Sequence, residues 1–136
     1  MGCDIHLYVE IKVKGQWHLF SHPRIKRNYE LFGIMAGVRS DIPNPISEPK
    51  GLPPDLSHMV AIDYEYNRDA HSESWFNRDE ISQLIERTSL MGAFPGDFEH
   101  SQLGYANGNP YDSIGTEDGG HPKEYEDVRF VFWFDN

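Results

Sequence analysis

Two Asp-x-His pairs carry the residue types in this sequence that are best suited to chemistry: Asp4-Ile5-His6 and Asp69-Ala70-His71. Residues two apart in a strand lie on one face about 6.6 Å apart, which lets a carboxylate and an imidazole converge on one divalent metal. Oxygen and imidazole ligands without a thiolate favour zinc or manganese, and such a metal activates water for hydrolysis. The pairs therefore predict a metal site built from Asp4, His6, Asp69 and His71. Four residues are candidates for a further ligand: Asp97, His100, His121 and Asp135.

Two alternatives to a metal site use the same residues. Two such pairs are only a mild excess over chance in a sequence with seven histidines, so both can be ordinary structural histidines. A metal-free site is the other alternative, because histidine changes charge near neutral pH and His6 or His71 could act as general acid or base. Asp4 or Glu10 would then orient the ring. Three arginines are candidates to hold an anionic ligand: Arg27, Arg39 and Arg129.

The first strand places one of these pairs. Residues from Cys3 to Val13 alternate between apolar and polar types, and successive side chains of a strand point to opposite sides. The apolar set that begins with Cys3 is predicted to be core. The other set, which we name the polar row, is Asp4, His6, Tyr8, Glu10 and Lys12. A merely solvated strand more usually shows Lys, Thr, Ser and Glu, so the polar row is where we expect a functional site.

The last predicted strand, Tyr125 to Phe134, is apolar on both faces near its end and therefore belongs at the centre of the sheet. Arg129 lies among these apolar residues, and a buried guanidinium needs a carboxylate or a phosphate as partner. Two interpretations follow: an ion pair with Asp4 or Glu10 across the sheet, or a contact with the phosphate of a ligand. Tyr8 and Trp75 are candidates to stack on a nucleobase.

The remaining elements complete an α+β pattern. Gly15 between two apolar-rich runs predicts a hairpin into Trp17 to Phe20. Apolar spacing predicts helices over Asn28 to Val38 and Arg78 to Thr88, the second with an Asn cap, and alternation predicts a strand over Val60 to Tyr66. Two long loops are expected, one Pro-rich over Asp41 to Pro54 and one Gly-rich over Met91 to Pro122. The length of the Gly-rich loop suggests a lid or a binding loop.

These elements predict one domain over residues 1–136. Its fold class is α+β: a single antiparallel or mixed sheet with the N- and C-terminal strands central, two helices on one face, and the two long loops at its ends.

The composition of the chain limits the classes of partner that we expect it to bind. A net charge of -10 repels a phosphate backbone, so nonspecific binding of nucleic acid is not expected. The single cysteine, Cys3, cannot form an internal disulfide and falls in the apolar set, which predicts a buried, unreactive thiol in a reducing compartment. No apolar stretch approaches the length of a membrane span and no export signal is seen. We therefore expect the protein to be located in the cytoplasm and to have no membrane partner.

Four segments together carry a resemblance: Met1-Gly2-Cys3-Asp4-Ile5-His6, the stretch from Arg27-Asn28-Tyr29 to Gly37-Val38-Arg39, Asp69-Ala70-His71-Ser72 with Trp75, and Phe132-Trp133-Phe134-Asp135-Asn136. The chain resembles a family of small uncharacterised proteins found in phages and prophages. The resemblance brings no established activity and no catalytic residues. It implies a context, because phage accessory proteins of this size often serve host takeover or counter-defence, some by cleaving and others by sequestering nucleotide signals.

The function predicted from the sequence is a metal-assisted phosphoester or nucleotide hydrolase. His6 and Glu10 are its catalytic candidates, and the divalent metal would be zinc or manganese. Four residues are assigned to ligand binding: Arg39, Arg129, Tyr8 and Trp75. The alternative is a non-catalytic module that sequesters a nucleotide-like ligand or a host protein, and a third possibility is a virion component. The sequence leaves the oligomeric state open.

Overall fold

A computed structural model describes residues 2–23, 25–91 and 125–136, the side chains of residues 89–91 excepted. The described elements follow one another as β1 (Asp4–Val13), β2 (Gln16–Ser21), α1 (Tyr29–Ala36), α2 (His58–Glu65), β3 (His71–Phe76), α3 (Arg78–Met91) and β4 (Asp127–Asp135). The strands form one four-stranded antiparallel sheet in the order β2-β1-β4-β3. The predicted α+β class and the central position of the first and last strands are thus confirmed.

The caps of α1 and α3 explain why these two predicted helices form where they do. Asn28 caps α1 by accepting the amide of Leu31, and Gly37 ends it with a φ of 71°, a conformation that suits a residue without Cβ. Asn77 and Glu80 form a reciprocal capping box at the start of α3, with distances of 2.9 and 3.0 Å. The predicted helix over residues 78–88 is confirmed and runs three residues further, to Met91.

The strand predicted over Val60 to Tyr66 is wrong, because these residues lie mostly in α2. Val60 and Tyr64 are four apart and so lie on the same side of a helix, where Val60 is fully buried and the Tyr64 ring meets Trp133 edge to face at 5.1 Å. The strand that the prediction missed is β3, which pairs with β4.

Both faces of the sheet are covered. Helices α1 and α3 pack on the face that carries Leu7 and Phe132, as the prediction of two helices on one face required. The short helix α2 and the segment before it cover the other face, around Tyr8 and Trp133. Two of the five residues of the polar row are therefore closed to solvent: Tyr8 is 2% exposed and Glu10 is fully buried. His6 and Asp4, at the start of β1, remain accessible.

Cys3 lies in the core that α1 and α3 form with the sheet and has no exposed surface. Burial raises the pKa of its thiol, and the Arg39 guanidinium opposes part of that effect. None of the helices in the described ranges is long and apolar enough to span a bilayer. The Gly-rich loop predicted for residues 91–122 lies outside the described residues except for Met91, and so do the candidate ligands Asp97, His100 and His121.

Candidate functional site

Glu10 and Arg129 form a buried ion pair across the two central strands. They are directly paired in the β1–β4 ladder, and Nε of Arg129 lies 2.6 Å from Oε1 of Glu10. Glu10 has no exposed surface and Arg129 is 4% exposed. The interpretation of Arg129 as half of an ion pair with Glu10 therefore matches the structure.

This pair is the centre of a larger network on the same face. The other two nitrogens of Arg129 donate to Asp55, at 2.8 Å to its carboxylate and 3.2 Å to its backbone carbonyl. The second oxygen of Glu10 accepts the amide of Ser57, which precedes α2. The guanidinium stacks 4.0 Å from the centre of the Trp17 ring. Because both ends of the pair are occupied, Glu10 and Arg129 hold α2 and the segment before it against the sheet, and both side chains are buried.

His6 is the imidazole of the polar row and remains partly accessible. Its Nε2 lies 2.6 Å from Oδ2 of Asp135, and the side chains are 32% and 24% exposed. Asn67, in the turn after α2, donates to the same carboxylate oxygen at 3.2 Å. The His6 ring stacks on Trp133 with the centroids 6.0 Å apart. The imidazole is therefore held by a carboxylate at one edge and an indole at one face.

The geometry also assigns the two ring nitrogens of His6. A carboxylate accepts hydrogen bonds, so the short contact to Asp135 places the N–H of the neutral ring on Nε2. Nδ1 then carries the lone pair, and it has no hydrogen-bond partner among the described residues. The atom of His6 that can accept a proton from a ligand or a water is therefore Nδ1.

Asp4 is paired with a different residue. Both of its carboxylate oxygens accept hydrogen bonds from Arg27, at 2.9 and 3.1 Å. These bonds hold the pKa of Asp4 below its ordinary value and raise that of Arg27. Both side chains are about half exposed. Asp4 thus lies beside His6 along β1, but its carboxylate is engaged by a cation rather than directed at the ring.

His71 lies on the opposite face of the sheet from His6. His71 pairs with Phe134 in the β3–β4 ladder, whereas His6 pairs with Trp133, and neighbouring residues of a strand point to opposite faces. The cause is an irregularity between His71 and Ser74, where three steps of β3 match two steps of β4. A regular ladder would have placed His71 opposite Asp135 and on the His6 face. The two Asp-x-His pairs therefore do not converge.

Of the remaining candidates, Tyr8 lies next to His6 on the same face of β1, and the other two lie on β3 or in the turn before it. Asp69 is exposed in the turn before β3. Trp75 is half-buried on β3, with the Lys50 ammonium 3.9 Å from its ring centre. Tyr8 donates to Asp63 of α2 at 3.1 Å and stacks between His22 and Trp133, so its ring is already sandwiched. Burial and this hydrogen bond raise the pKa of Tyr8 above its ordinary value. The Tyr8 ring is therefore already stacked on two neighbouring rings, and the Trp75 ring already has a cation against it.

Arg39 and His71 meet at Asn136. Nη2 of Arg39 and Nε2 of His71 each lie 3.2 Å from the side-chain oxygen of Asn136. Sequence reasoning missed both Asn67 and Asn136, and it named Asp135 only as one of four further ligands. The predicted adjacency of the first and last strands is the signal that could have placed Asp135 beside His6.

Within the parts of the chain that the structure describes, no group of three or more His, Cys, Asp or Glu side chains is arranged to hold a metal ion. His6 and Asp135 would supply at most two ligands there. No model of a protein family matches the chain, and no curated protein or solved structure matches it either.

Proposed function

We propose that this chain binds a small phosphorylated or nucleotide-like ligand at the His6 end of the sheet and hydrolyses its phosphoester. The observation that carries the proposal is the alignment of His6, Asp135 and Asn67, in which a partly exposed imidazole is oriented by a carboxylate that is itself hydrogen-bonded. Such a second hydrogen bond fixes the carboxylate and hence the ring. Acid–base groups held in this way contribute roughly 100-fold or more to proton-transfer steps.

In this proposal water is the nucleophile. Nδ1 of His6 takes a proton from water as its oxygen forms a bond to phosphorus, and the imidazolium then protonates the oxygen of the leaving alcohol as its bond to phosphorus breaks. The Asp135 carboxylate stabilises the imidazolium through Nε2. Arg39, which is exposed, supplies positive charge for the anionic ligand, whereas the charge of Arg27 is balanced by Asp4.

A divalent metal would be an alternative to this acid–base role, because a metal bound through Nδ1 of His6 would take the lone pair that otherwise accepts the proton. Zinc or manganese at this place would bind His6 and Asp135, with Asp4 joining only if it leaves Arg27. A metal there would lower the pKa of a bound water and so supply the nucleophile. The resemblance to phage proteins supports a setting in the host cytoplasm, where cleavage of a nucleotide signal would serve counter-defence.

A non-catalytic binding module is the second candidate, because a separate cavity of about 430 Å³ lies between β2 and the start of α2. Its walls include Trp17, Leu19 and Leu56 as apolar surface and His18 and Asp55 as polar surface. A mixed lining of this kind suits a small ligand with a flat apolar body. The cavity does not include His6, so binding there needs no acid–base group.

The test compares H6Q with E86Q, which changes an exposed residue of α3 instead. Hydrolysis of bis(p-nitrophenyl) phosphate, nucleoside triphosphates and cyclic dinucleotides is followed with EDTA, zinc or manganese present. We expect H6Q to lose roughly 100-fold in rate and E86Q to keep wild-type activity. Equal activity in the two variants would overturn the role of His6. Nucleotides that shift the thermal midpoint and are recovered intact would support the binding module.

A further inference from the structure

Two hydrogen-bond donors from separate segments converge on one oxygen atom on the face opposite His6. Arg39 follows α1 and His71 begins β3, and each places a nitrogen 3.2 Å from Oδ1 of Asn136. An amide oxygen is a weak partner for a guanidinium, which forms its strongest hydrogen bonds with carboxylates and phosphates. We propose that Arg39 and His71 form a binding site for a phosphate group, and that the side chain of Asn136 occupies this site in the free protein.

The hydrogen bonds of His71 fix which of its nitrogens faces the site. Nδ1 lies 3.0 Å from the hydroxyl of Ser72, and Nε2 faces the Asn136 oxygen, which can only accept. Nε2 therefore carries the proton, and Nδ1 accepts the hydrogen of the Ser72 hydroxyl. The ring also stacks on Phe134 with a centroid distance of 6.3 Å. His71 is thus oriented as a donor whether or not Asn136 is present.

Arg39 is held in place as well. Its guanidinium lies 5.7 Å from the centre of the Tyr29 ring. Arg39 and Ser72 both have a positive φ, 61° and 56°, which is uncommon for residues with a side chain. Such conformations persist where the surrounding structure enforces them, and here they occur in both segments that supply a donor, at Arg39 and next to His71. The donors are therefore positioned by the fold rather than by Asn136.

The charges around the site allow an anion to bind but do not make its binding tight. Asp4 and Asp135, like Arg39, act on the Cys3 thiol, so both carboxylates lie near the site. Asp4 is paired with Arg27 and Asp135 is hydrogen-bonded by His6, which reduces their repulsion of a phosphate. Arg39 and Asn136 are exposed, so a ligand can reach the site and water screens the attraction. We therefore expect millimolar affinity for inorganic phosphate.

This site deepens the proposed function, and rests on it for one point only: that the ligand bound here is the one on which His6 acts. Asp135 and Asn136 are consecutive, and Asp135 contacts His6 on one face while Asn136 contacts His71 on the other. A ligand whose phosphate displaces Asn136 would lie across this end of the sheet. The phosphate site itself does not depend on catalysis.

The test is a titration of the full chain with inorganic phosphate, at constant ionic strength, followed by NMR of the Arg39 Nε–H and the His71 ring. N136A removes the internal occupant, so it should bind phosphate roughly fivefold more tightly than the wild type or better. N136D supplies a permanent carboxylate and should abolish binding and raise the thermal midpoint. R39Q in the N136A background should lose binding, whereas R68Q, which removes an exposed charge before β3, should keep it.

Two results would overturn the site: N136A binding phosphate no better than the wild type, or the R39Q N136A variant binding as well as N136A. Circular dichroism checks folding, and N136S is the second variant should N136A fail to fold. H6Q in the N136A background separates this inference from the proposed function, because phosphate binding there should equal that of N136A. If phosphate binds as expected but no hydrolysis is detected, only the proposed function is overturned.

Discussion

Glu10 and Arg129 stand directly opposite each other in the two central strands, and their side chains meet at 2.6 Å with almost no solvent contact. A buried pair of this kind is costly to break, because removing one partner leaves an uncompensated charge. The same guanidinium also binds Asp55, and Glu10 binds the amide that precedes α2. The pair therefore joins the sheet to α2 and the segment before it.

We expect E10A to lower the free energy of unfolding by about 3–5 kcal/mol, because Arg129 would remain buried with only the more exposed Asp55 as partner. The double variant E10L R129M removes both charges and should be less destabilised than E10A alone. Urea unfolding followed by tryptophan fluorescence measures both. A change below about 1 kcal/mol for E10A would mean that water or another group takes over the partner's role.

Stability should fall in acid through Asp55. The hydrogen bond from Arg129 holds the pKa of Asp55 below its ordinary value of 3.8, so the unfolded chain binds the proton more readily than the folded one. The stabilisation is complete above that ordinary value and is lost as the pH falls through the lower, folded value. Unfolding midpoints in urea between pH 6 and pH 2 should therefore decline less steeply in D55N than in the wild type. Parallel curves would contradict this assignment.

Asn67 should act as a positioning residue for the His6 pair. N67A removes the second hydrogen bond to Asp135, so the rate of hydrolysis should fall roughly 10-fold while KM changes little. The neighbouring exposed residue gives the control, R68A, which should leave both constants unchanged. Proton NMR of the His6 Nε2–H gives a readout besides activity, because this proton should exchange faster with solvent in N67A. Unchanged exchange would show that Asp135 is held without Asn67.

Cys3 should resist alkylation in the native protein. Its thiol is fully buried, and burial raises its pKa, so little thiolate is present or accessible at neutral pH. Iodoacetamide should label the folded chain orders of magnitude more slowly than the chain in denaturant, and C3S should show no labelling in either state. Rapid labelling of folded protein would mean that the first residues of β1 open readily.

Several parts of the fold follow from local chemistry alone. The alternation around Leu7, the Asn28 and Asn77 caps and the apolar run that includes Phe132 each predicted an element that the structure contains. These signals are strong because each depends only on residues that are close together in the sequence. The pairing of Arg129 with Glu10 could also be predicted, because two strands placed at the centre of a sheet must be neighbours or nearly so.

Other parts depend on distant contacts. Ile62, Tyr64 and Tyr66 alternate as a strand would, but Val60 and Tyr64 also fit one side of a helix, and packing on Trp133 decides between the two patterns. The irregularity in β3 could not be predicted either, because no residue type between His71 and Ser74 indicates that one residue will have no partner in β4. The face of His71, and with it the separation of the two Asp-x-His pairs, could not be read from the spacing.

The position of β4 between β1 and β3 has a consequence for synthesis. The Glu10–Arg129 contact joins positions 119 apart, so the central ladder forms only after almost all of the described chain has been translated. A nascent chain that has emerged through residue 91 contains β1 and β3 without the strand that separates them. Each would then present an unpaired backbone edge beside uncovered apolar side chains, the combination that drives aggregation. Chains of this protein that stop before β4 should therefore depend on a chaperone to stay unaggregated.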